Sequence, residues 1–377
     1  MMKNYIFLTL VFFYLISCSG AINKEVQNQS IKSLKVPEGF IISKFAENID
    51  SPRQMAQGDL GYIFIGSRRG NEIVVIRDFD NNGVSDFKRT IASSLNQPSG
   101  VSFYGGDIYF SEIDKIWKIE NVEQWLDANP SGMPKKILVS SSLPSDEWHG
   151  WKWLAHDVAG DLYTNIGAPC NVCLRDDQRY ASIVRLEGSE WKPIAKGVRN
   201  SVGFDFHPGS GELFFGDNGR DWLGDDLPSC ELNRLNLDSK TGAHFGFPYL
   251  HGNNFKDPEF GDISHGYDIQ LPILELGAHV APTGLTFYDH EAFGSDFNNN
   301  IFIALHGSWN RSSKVGYKLI RVVLDDSGNV LRSEDFVTGF LEGEEVFGRP
   351  SAPMLMQDGS LLLSDDKANI IFKISKI

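Results

Sequence analysis

Several common signatures are missing from this chain of 377 residues, and each absence narrows its function. The sequence contains no Gly-rich phosphate loop, no G-x-S-x-G and no H-E-x-x-H. Nucleotide cofactors and the commoner hydrolase designs therefore have no sequence support.

Cysteine is scarce, with four residues in the chain. Cys170 and Cys173 form a C-x-x-C that Leu174 follows, so the sequence has no C-x-x-C-H haem attachment motif. No second C-x-x-C exists, which excludes a structural zinc site of four thiolates. We expect a disulfide between Cys170 and Cys173 rather than a redox pair or half a metal site, and Cys230 has no obvious partner.

Basic charge and helical periodicity are also scarce. The formal net charge of -14 argues against nucleic-acid binding, which needs a basic face, but leaves calcium and small neutral or cationic ligands open. Residues 122–126 indicate one short helical turn, whereas period-two alternation recurs, as in residues 73–76 and 318–323. The sequence therefore predicts a large all-β protein.

A single long apolar run, residues 6–16, is too short to cross a bilayer comfortably. It follows a lysine and ends in the lipobox-like L-I-S-C, which predicts a lipoprotein signal peptide over residues 1–18 with Cys18 as the lipidated residue. An ordinary signal peptide is the alternative. Residues 19–34 lack hydrophobic periodicity and are expected to form a flexible tether. We expect an extracytoplasmic, membrane-anchored bacterial lipoprotein, on the periplasmic face of the outer membrane or the cell surface, with one domain over residues 35–377.

Six copies of one repeat account for that domain. Each copy combines a polar or proline residue, an apolar alternating run, a turn and a short apolar strand. The copies begin near Pro52, Pro98, His149, Arg199, Pro282 and Arg349. This pattern predicts a six-bladed β-propeller of four-stranded antiparallel blades. Residues 370–374 are expected to pair with residues 40–45, which would remove exposed edges.

Residues that open the repeats would meet at one central mouth. His149 is a candidate base because its ordinary pKa is near neutral, although a structural role is equally open. Arg199 and Arg349 offer planar donors for carboxylate or quinone oxygens, or form structural salt bridges. Trp309 would wall a planar cofactor or a sugar, or pack in the core. The long loops expected to carry ligand contacts are residues 217–231, 244–279 and 306–316.

Two polar loops raise the question of calcium. The loop over residues 217–231 combines carboxylates with exposed carbonyls, which calcium prefers, and a solvated acidic turn is the alternative. Residues 78–86 also resemble a calcium loop, but Arg89 stands where an EF-hand requires glutamate. We interpret residues 78–86 as a polar hairpin tip.

Nine motifs together resemble the glucose/sorbosone dehydrogenase family, the soluble sugar dehydrogenases that depend on pyrroloquinoline quinone (PQQ), and most closely its sorbosone-dehydrogenase-like branch. They follow the family's order over nearly the whole mature chain. Two of them are His149-Gly150-Trp151-Lys152 and His306-Gly307-Ser308-Trp309-Asn310-Arg311. The others occupy residues 167–171, 197–203, 217–221, 231–233, 244–248, 348–350 and 364–366.

The resemblance implies a six-bladed propeller that uses PQQ and calcium to oxidise an aldose or aldehyde sugar, with hydride passing to the quinone. It implies that His149 is the general base and that Arg199 stabilises charge on the quinone carbonyl. The implied cofactor contacts are Asn200, Asn218, Arg220 and Arg349, with Arg311 in place of the family's lysine. The implied calcium ligands are the Gly219 and Arg220 carbonyls for a catalytic ion and Glu231 for a structural one.

The sequence indicates the family more specifically than it indicates the substrate or the mechanism. Ala168, Pro169 and Cys170 stand where the glucose-oxidising branch has polar residues, so the sugar is open. The electron acceptor must be a separate cytochrome or quinone, since no haem motif is present. The alternatives are a calcium-dependent sugar lactonase and a non-catalytic propeller that binds glycans or a protein.

Overall fold

A computed structural model describes residues 32–237 and 242–377. The predicted signal peptide, Cys18 and all but the last residues of the predicted tether lie outside this part. Within it, six sheets form the blades of a propeller; each has four antiparallel strands, and one has a fifth, parallel strand. The predicted fold class, an all-β six-bladed propeller, is confirmed.

The blades follow chain order. Blade 1 comprises Pro52–Gln57, Ile63–Ser67, Ile73–Arg77 and Phe87–Ala92. Blade 2 comprises Val101–Tyr104, Asp107–Ser111, Ile116–Ile119 and Ile137–Ser140. Blade 3 comprises Leu154–His156, Leu162–Ile166, Ser182–Glu187, Glu190–Lys196 and the parallel strand Ala243–His244. Blade 4 comprises Phe204–Phe206, Leu213–Asp217, Ser229–Leu235 and Leu274–Ala278. Blade 5 comprises Pro282–Tyr288, Asn300–Leu305, Lys318–Leu324 and Val330–Val337. Blade 6 comprises Pro350–Leu355, Leu361–Asp365, Ile370–Lys376 and Phe40–Glu47.

Few elements lie outside the blades. A helix, Val122–Ala128, begins where the sequence predicted a helical turn. Two small hairpins pair Leu250–His251 with Phe255–Lys256 and Leu341–Glu342 with Glu345–Val346. Two 3-10 turns, Glu291–Phe293 and Ser295–Phe297, complete the elements of the described chain. No helix in the described ranges is long and apolar enough to span a bilayer.

The ring closes through the two ends of the described chain. Phe40–Glu47 pairs antiparallel with Ile370–Lys376, from Phe40 opposite Lys376 to Glu47 opposite Ile370. An N-terminal strand thus completes the last blade and covers its edge, which confirms the predicted pairing.

The core lies between the blades. The second strand of five blades is buried along its whole length, as in Ile63–Ser67 and Leu361–Asp365. Such strands do not alternate between apolar and polar residues, because neighbouring blades cover both of their faces. Outer strands such as Val330–Val337 are largely exposed.

One end of the central ring gathers the polar residues. In each blade the first and second strands are antiparallel, so the start of the first lies beside the end of the second, as with Pro350 and Asp365. We call this end of the ring the mouth. The inner strands approach closely there, since a Cβ on Gly203 would lie 2.6 Å from the Gly284 Cα atom.

Candidate functional site

His149 lies at the mouth, in the segment that enters blade 3. Its backbone has a φ of 56°, an uncommon conformation for a residue other than glycine, in a turn where the Gly150 N–H donates to the Glu147 carbonyl at 3.0 Å. Its Nδ1 lies 2.7 Å from the Ala168 carbonyl, and the Trp148 indole N–H donates to its Nε2 at 3.1 Å. A carbonyl only accepts and an indole N–H only donates, so the proton is on Nδ1 and the lone pair on Nε2.

The electrostatic surroundings keep His149 neutral. Burial, and next the positive charge of Arg199, lower its pKa from 6.5 to about 3. The imidazole therefore presents an unprotonated Nε2 throughout the neutral range. This is the charge state and tautomer that a general base requires.

Arg199 is buried and its guanidinium is completely engaged. Nε donates to the Asn171 carbonyl at 2.8 Å, and Nη2 donates to the Asn171 Oδ1 at 2.9 Å and to Asp221 at 3.3 Å. Nη1 donates to the carbonyls of Asn218 at 3.2 Å and Gly219 at 2.9 Å. All five N–H groups have acceptors, so Arg199 contributes its charge to the site rather than a free donor.

The hydrogen bonds of Arg199 affect the predicted site of the catalytic calcium. The Gly219 carbonyl, its predicted ligand, accepts from Arg199 instead, and a calcium ion there would adjoin a guanidinium cation. Among the described residues, no group of three or more His, Cys, Asp or Glu side chains is arranged to hold a metal. The donor set as it stands does not fit a calcium ion at Gly219.

Asn200 supplies an unsatisfied acceptor beside His149. The backbone N–H groups of Arg199 and Asn200 each donate to the Asp217 carboxylate at 2.7 Å, which fixes the segment. The Asn200 Oδ1 is buried and has no hydrogen-bond partner in the described chain. It borders Gly167, where a Cβ would lie 3.3 Å from it and 2.5 Å from the His149 Cβ. A buried acceptor without a donor fits a ligand hydroxyl or N–H at this place.

Arg349 lies at the entry to blade 6. Its Nε and Nη2 donate to the carbonyls of His306 at 3.1 Å and Gly307 at 2.5 Å. Its Nη1 makes no hydrogen bond with any residue that the structure describes, and so keeps donors for a ligand. Asn218, another predicted contact, uses its amide to donate to the Asn200 carbonyl at 2.8 Å, and its contact with the cofactor stays a prediction.

Two further arginines join Arg349. The Asp366 carboxylate accepts from Arg53 at 2.8 Å and from the neutral His306 Nε2–H at 2.8 Å, and lies 3.7 Å from Arg68. Burial lowers the pKa of His306 to about 3. Burial alone would raise the pKa of Asp366, but His306 and Arg53 outweigh it and hold that pKa well below its usual range.

Arg53 and Arg68 thus share the Asp366 carboxylate while Arg349 binds two carbonyl groups, and this excess of positive charge would suit a carboxylate ligand. The Arg68 guanidinium also lies 4.6 Å from the ring centre of Trp151, two residues from His149. This cation–π contact links the arginines to the histidine side of the mouth.

Two predicted cofactor contacts lie elsewhere. Arg220 turns away and pairs with Asp257 at 2.5 Å and Glu259 at 3.0 Å, because these insertion-loop carboxylates neutralise its charge. Arg311 donates to the Asp225 carbonyl and pairs with Asp226, both at 3.0 Å, and therefore fastens two loops together. Both side chains are thus engaged with carboxylates of neighbouring loops, and their role as cofactor contacts stays a prediction.

Glu231 is buried within blade 4. Its carboxylate accepts from the Gly252 N–H at 2.6 Å and from the Asn233 amide at 2.9 Å. Burial, and next Asp217, raise its pKa. A buried carboxylate with hard oxygen atoms and no cationic partner among the described residues suits a structural calcium better than the Gly219 carbonyl does.

Asn171, Arg53 and Arg68 are site residues that the sequence motifs did not predict. Cys170 and Cys173 form a disulfide with Cα atoms 6.2 Å apart, and Asn171 lies between them. The loop that holds Arg199 is thus covalently fastened. A signal for Arg53 and Arg68 was available, since Arg53 is the second residue of the first strand of the first repeat and Arg68 directly follows its second strand.

The comparisons with known proteins agree with this architecture. The TrAA12-like family model matches residues 252–346. An uncharacterised protein of Borreliella burgdorferi is 36% identical over 353 residues, which are 91% of this chain and 90% of that protein.

Solved structures share the fold at lower identity. A calcium structure of a Trichoderma reesei enzyme of carbohydrate-active family AA12 has a TM-score of 0.77 at 18% identity and covers 92% of this chain and 97% of that one. The holo form of the PQQ domain of Coprinopsis cinerea pyranose dehydrogenase has a TM-score of 0.75 at 18% identity, with 91% and 97% covered.

Fold and site define a class of protein: a six-bladed propeller with a neutral histidine and an arginine-rich pocket at one mouth. The motifs, the TrAA12-like match over residues 252–346 and the shared fold together support the glucose/sorbosone dehydrogenase family that the sequence predicted.

Proposed function

We propose that this protein oxidises an aldose or a related aldehyde sugar with PQQ as its bound cofactor, and that a separate cytochrome or quinone takes up the electrons. The main support is one juxtaposition at the mouth. The neutral His149 and the unpartnered Asn200 Oδ1 both border Gly167, and Trp151 connects them to the arginines. The Coprinopsis cinerea neighbour, described as the holo form of a PQQ domain, agrees with this proposal.

The catalytic step assigned to this chain is a proton transfer. His149 Nε2 accepts the proton of the sugar's anomeric hydroxyl, and the Ala168 carbonyl keeps the other ring proton on Nδ1. Asn200 Oδ1 accepts a hydrogen bond from a neighbouring hydroxyl and orients the ring. The Trp148 indole must first leave Nε2, which its exposed position permits.

The cofactor would be held by charge. Arg349, Arg53 and Arg68 would bind its carboxylates, because among the described residues Arg53 and Arg68 have only the Asp366 carboxylate between them and the Arg349 guanidinium binds carbonyl groups alone. When bound, PQQ supplies the chemistry of a two-electron hydride acceptor. Arg199 contributes positive potential to the site through a fixed, fully bonded guanidinium.

Calcium enters the proposal as a structural ion at Glu231. The calcium structure of the Trichoderma reesei neighbour and the buried Glu231 carboxylate support it. No step of the reaction is assigned to calcium, because Arg199 occupies the Gly219 carbonyl.

Spectroscopy with the purified protein tests the proposal. PQQ is titrated with calcium or with a calcium chelator, and the absorption spectrum is recorded before and after addition of single aldoses. We expect bound PQQ that one class of aldose reduces. A His149→Ala variant should retain PQQ and lose roughly 100-fold or more in the rate of reduction. An Arg349→Gln variant should bind PQQ more weakly.

Absence of PQQ binding with and without calcium would discard the proposal. Hydrolysis of sugar lactones and binding of glycans would then be assayed, because these are the activities of the two alternatives. Anchoring through Cys18 is a separate part of the proposal. It predicts that the protein of intact cells is membrane-bound and that a Cys18→Ala variant is not.

A further inference from the structure

Two exposed tryptophans form a corner on the mouth side of the propeller. Trp222 and Trp309 are 66% and 67% exposed, although large aromatic side chains are usually buried. Their ring centres lie 5.5 Å apart with the planes at 88°. We call this pair the tryptophan corner. It borders an open hollow of about 510 Å³, within the range of about 300–1,000 Å³ typical of small-molecule sites.

The two loops that carry the corner are fastened to each other. Arg311, two residues after Trp309, donates to the Asp225 carbonyl and pairs with Asp226. The Ser312 N–H donates to the Asp225 carboxylate at 3.0 Å, and His279 donates to the Gly224 carbonyl at 2.8 Å. Arg311 balances the charge of Asp226 and Ser312 hydrogen-bonds to Asp225, so these contacts fasten the loops that carry the rings and leave the rings exposed. A prearranged aromatic surface loses little entropy when it binds a ligand.

The backbone at Trp222 also indicates a constrained position. Its φ of 71° lies in the left-handed region, which is rare for a bulky residue. Such conformations persist where surrounding contacts enforce them, and they concentrate at ligand sites. Here Asp221, the preceding residue, donates through its N–H to Asn171 at 2.8 Å.

The corner adjoins the proposed active site through the chain. Trp222 directly follows Asp221, which contacts Arg199, and Trp309 lies two residues after Gly307, which contacts Arg349. The Asn310 amide nitrogen, in the residue that follows Trp309, is buried without a hydrogen-bond partner among the residues described. A residue that lines the same hollow as the two indoles thus has an unsatisfied polar donor. This combination suits a ring with an apolar face and hydroxyl groups at its edge.

We propose that the tryptophan corner binds the second pyranose ring of a neutral oligosaccharide whose reducing-end ring occupies the mouth. The inference rests on the proposed function and names its substrate class: oligosaccharides rather than free monosaccharides. Indole faces bind the C–H face of a pyranose, and Asn310 donates to one of its hydroxyls.

Calorimetry on the full protein without PQQ tests the corner independently of turnover. The probes are glucose, maltotriose, cellotriose and xylotriose. We expect one trisaccharide to bind roughly three- to tenfold more tightly than glucose, the gain from a single aromatic contact. Trp222→Ala and Trp309→Ala should each abolish that gain, and Trp309→Phe should keep most of it. Phe79→Ala, which removes a half-exposed ring from the hairpin of residues 78–86, should change nothing.

Two results would overturn the inference. One is that none of the trisaccharides binds more tightly than glucose. The other is that trisaccharide affinity stays within twofold in both alanine variants. A protein that binds trisaccharides at the corner but never binds PQQ would refute the proposed function and leave the sugar site in place.

Discussion

His149 owes its chemical character to its immediate neighbours. The Ala168 carbonyl selects the tautomer, while burial and Arg199 lower the pKa to about 3. A lowered pKa means that the ring binds a proton less tightly, so the neutral form persists as the pH falls below 6.5. The conjugate acid formed in catalysis would give its proton up readily to solvent.

This residue gives a prediction about pH. We expect the acid limb of kcat/KM for sugar oxidation to lie far below 6.5, the ordinary histidine value. An Arg199→Gln variant should move that limb to higher pH, because the neighbouring positive charge is gone. An NMR titration of the His149 ring, assigned with His149→Ala, measures the same pKa without turnover. A His149 that titrates near 6.5 in the unmodified protein would contradict the prediction.

Individual site residues were only partly predictable from the sequence. His149, Arg199 and Arg349 open repeats, and topology alone brings them to one mouth. Arg220 and Arg311 belong to the same motifs but pair with Asp257 and Asp226, 37 and 85 residues away. Because carboxylates so distant in sequence determine the direction of an arginine side chain, a local motif cannot predict that direction.

At the scale of elements, blade 4 places three carboxylates in one row. Asp217 lies opposite Glu231, and Glu231 lies opposite Glu275 on the next strand. Asp217 and Glu231 are buried, and burial raises the pKa of both. The strand register thus brings two buried carboxyl groups, Asp217 and Glu231, side by side at a core position that apolar side chains would otherwise occupy.

We predict that Glu231→Gln stabilises the protein at alkaline pH. A carboxyl with a raised folded-state pKa keeps its proton after the unfolded chain has released it. The free energy of unfolding therefore falls as the pH rises above about 4.5. Glutamine removes this loss, and its amide could donate to the buried, unpartnered Asn233 Oδ1. Urea unfolding at about pH 5 and about pH 8.5 should show a gain on the order of 2 kcal/mol at the higher pH only.

Calcium provides the control for that prediction. The proposed structural ion would stabilise the ionised Glu231, so added calcium should raise the stability of the unmodified protein at alkaline pH and leave Glu231→Gln unchanged. Equal stabilisation of both proteins would remove Glu231 from the proposed calcium site. If, without calcium, the stability of the unmodified protein and that of Glu231→Gln depended on pH in the same way, the raised pKa of Glu231 would be contradicted.

At the scale of the whole molecule, the repeat pattern was sufficient to predict the propeller. Six strand-rich repeats have few other ways to bury their apolar faces, and both termini carry strands of matching pattern. The insertions were less predictable, because residues 242–273 contribute a fifth strand to blade 3 and a hairpin rather than a regular repeat. Their structure depends on contacts with loops from other blades.

Closure of the ring depends on the buried side chain of Phe45 in the N-terminal strand. Phe45 is 1% exposed and packs among Met55, Ile65 and Met354, so the N-terminal strand joins blade 6 to blade 1. Phe45→Ala should lower the free energy of unfolding by about 3–5 kcal/mol. Ile41→Ala, in the same strand but half exposed, should cost well under half of that.

The set of strands whose amide hydrogen exchange increases distinguishes a role in ring closure from a role in local packing. If the strand closes the whole ring, Phe45→Ala should accelerate amide hydrogen exchange in the second strands of blades 1 and 6 together, because each blade has lost support from the other. Exchange that rises only in Phe40–Glu47 would mean that the strand covers an edge without holding the propeller together. The Ile41→Ala protein provides the baseline for both patterns, since it keeps the backbone pairing and the buried Phe45 contacts.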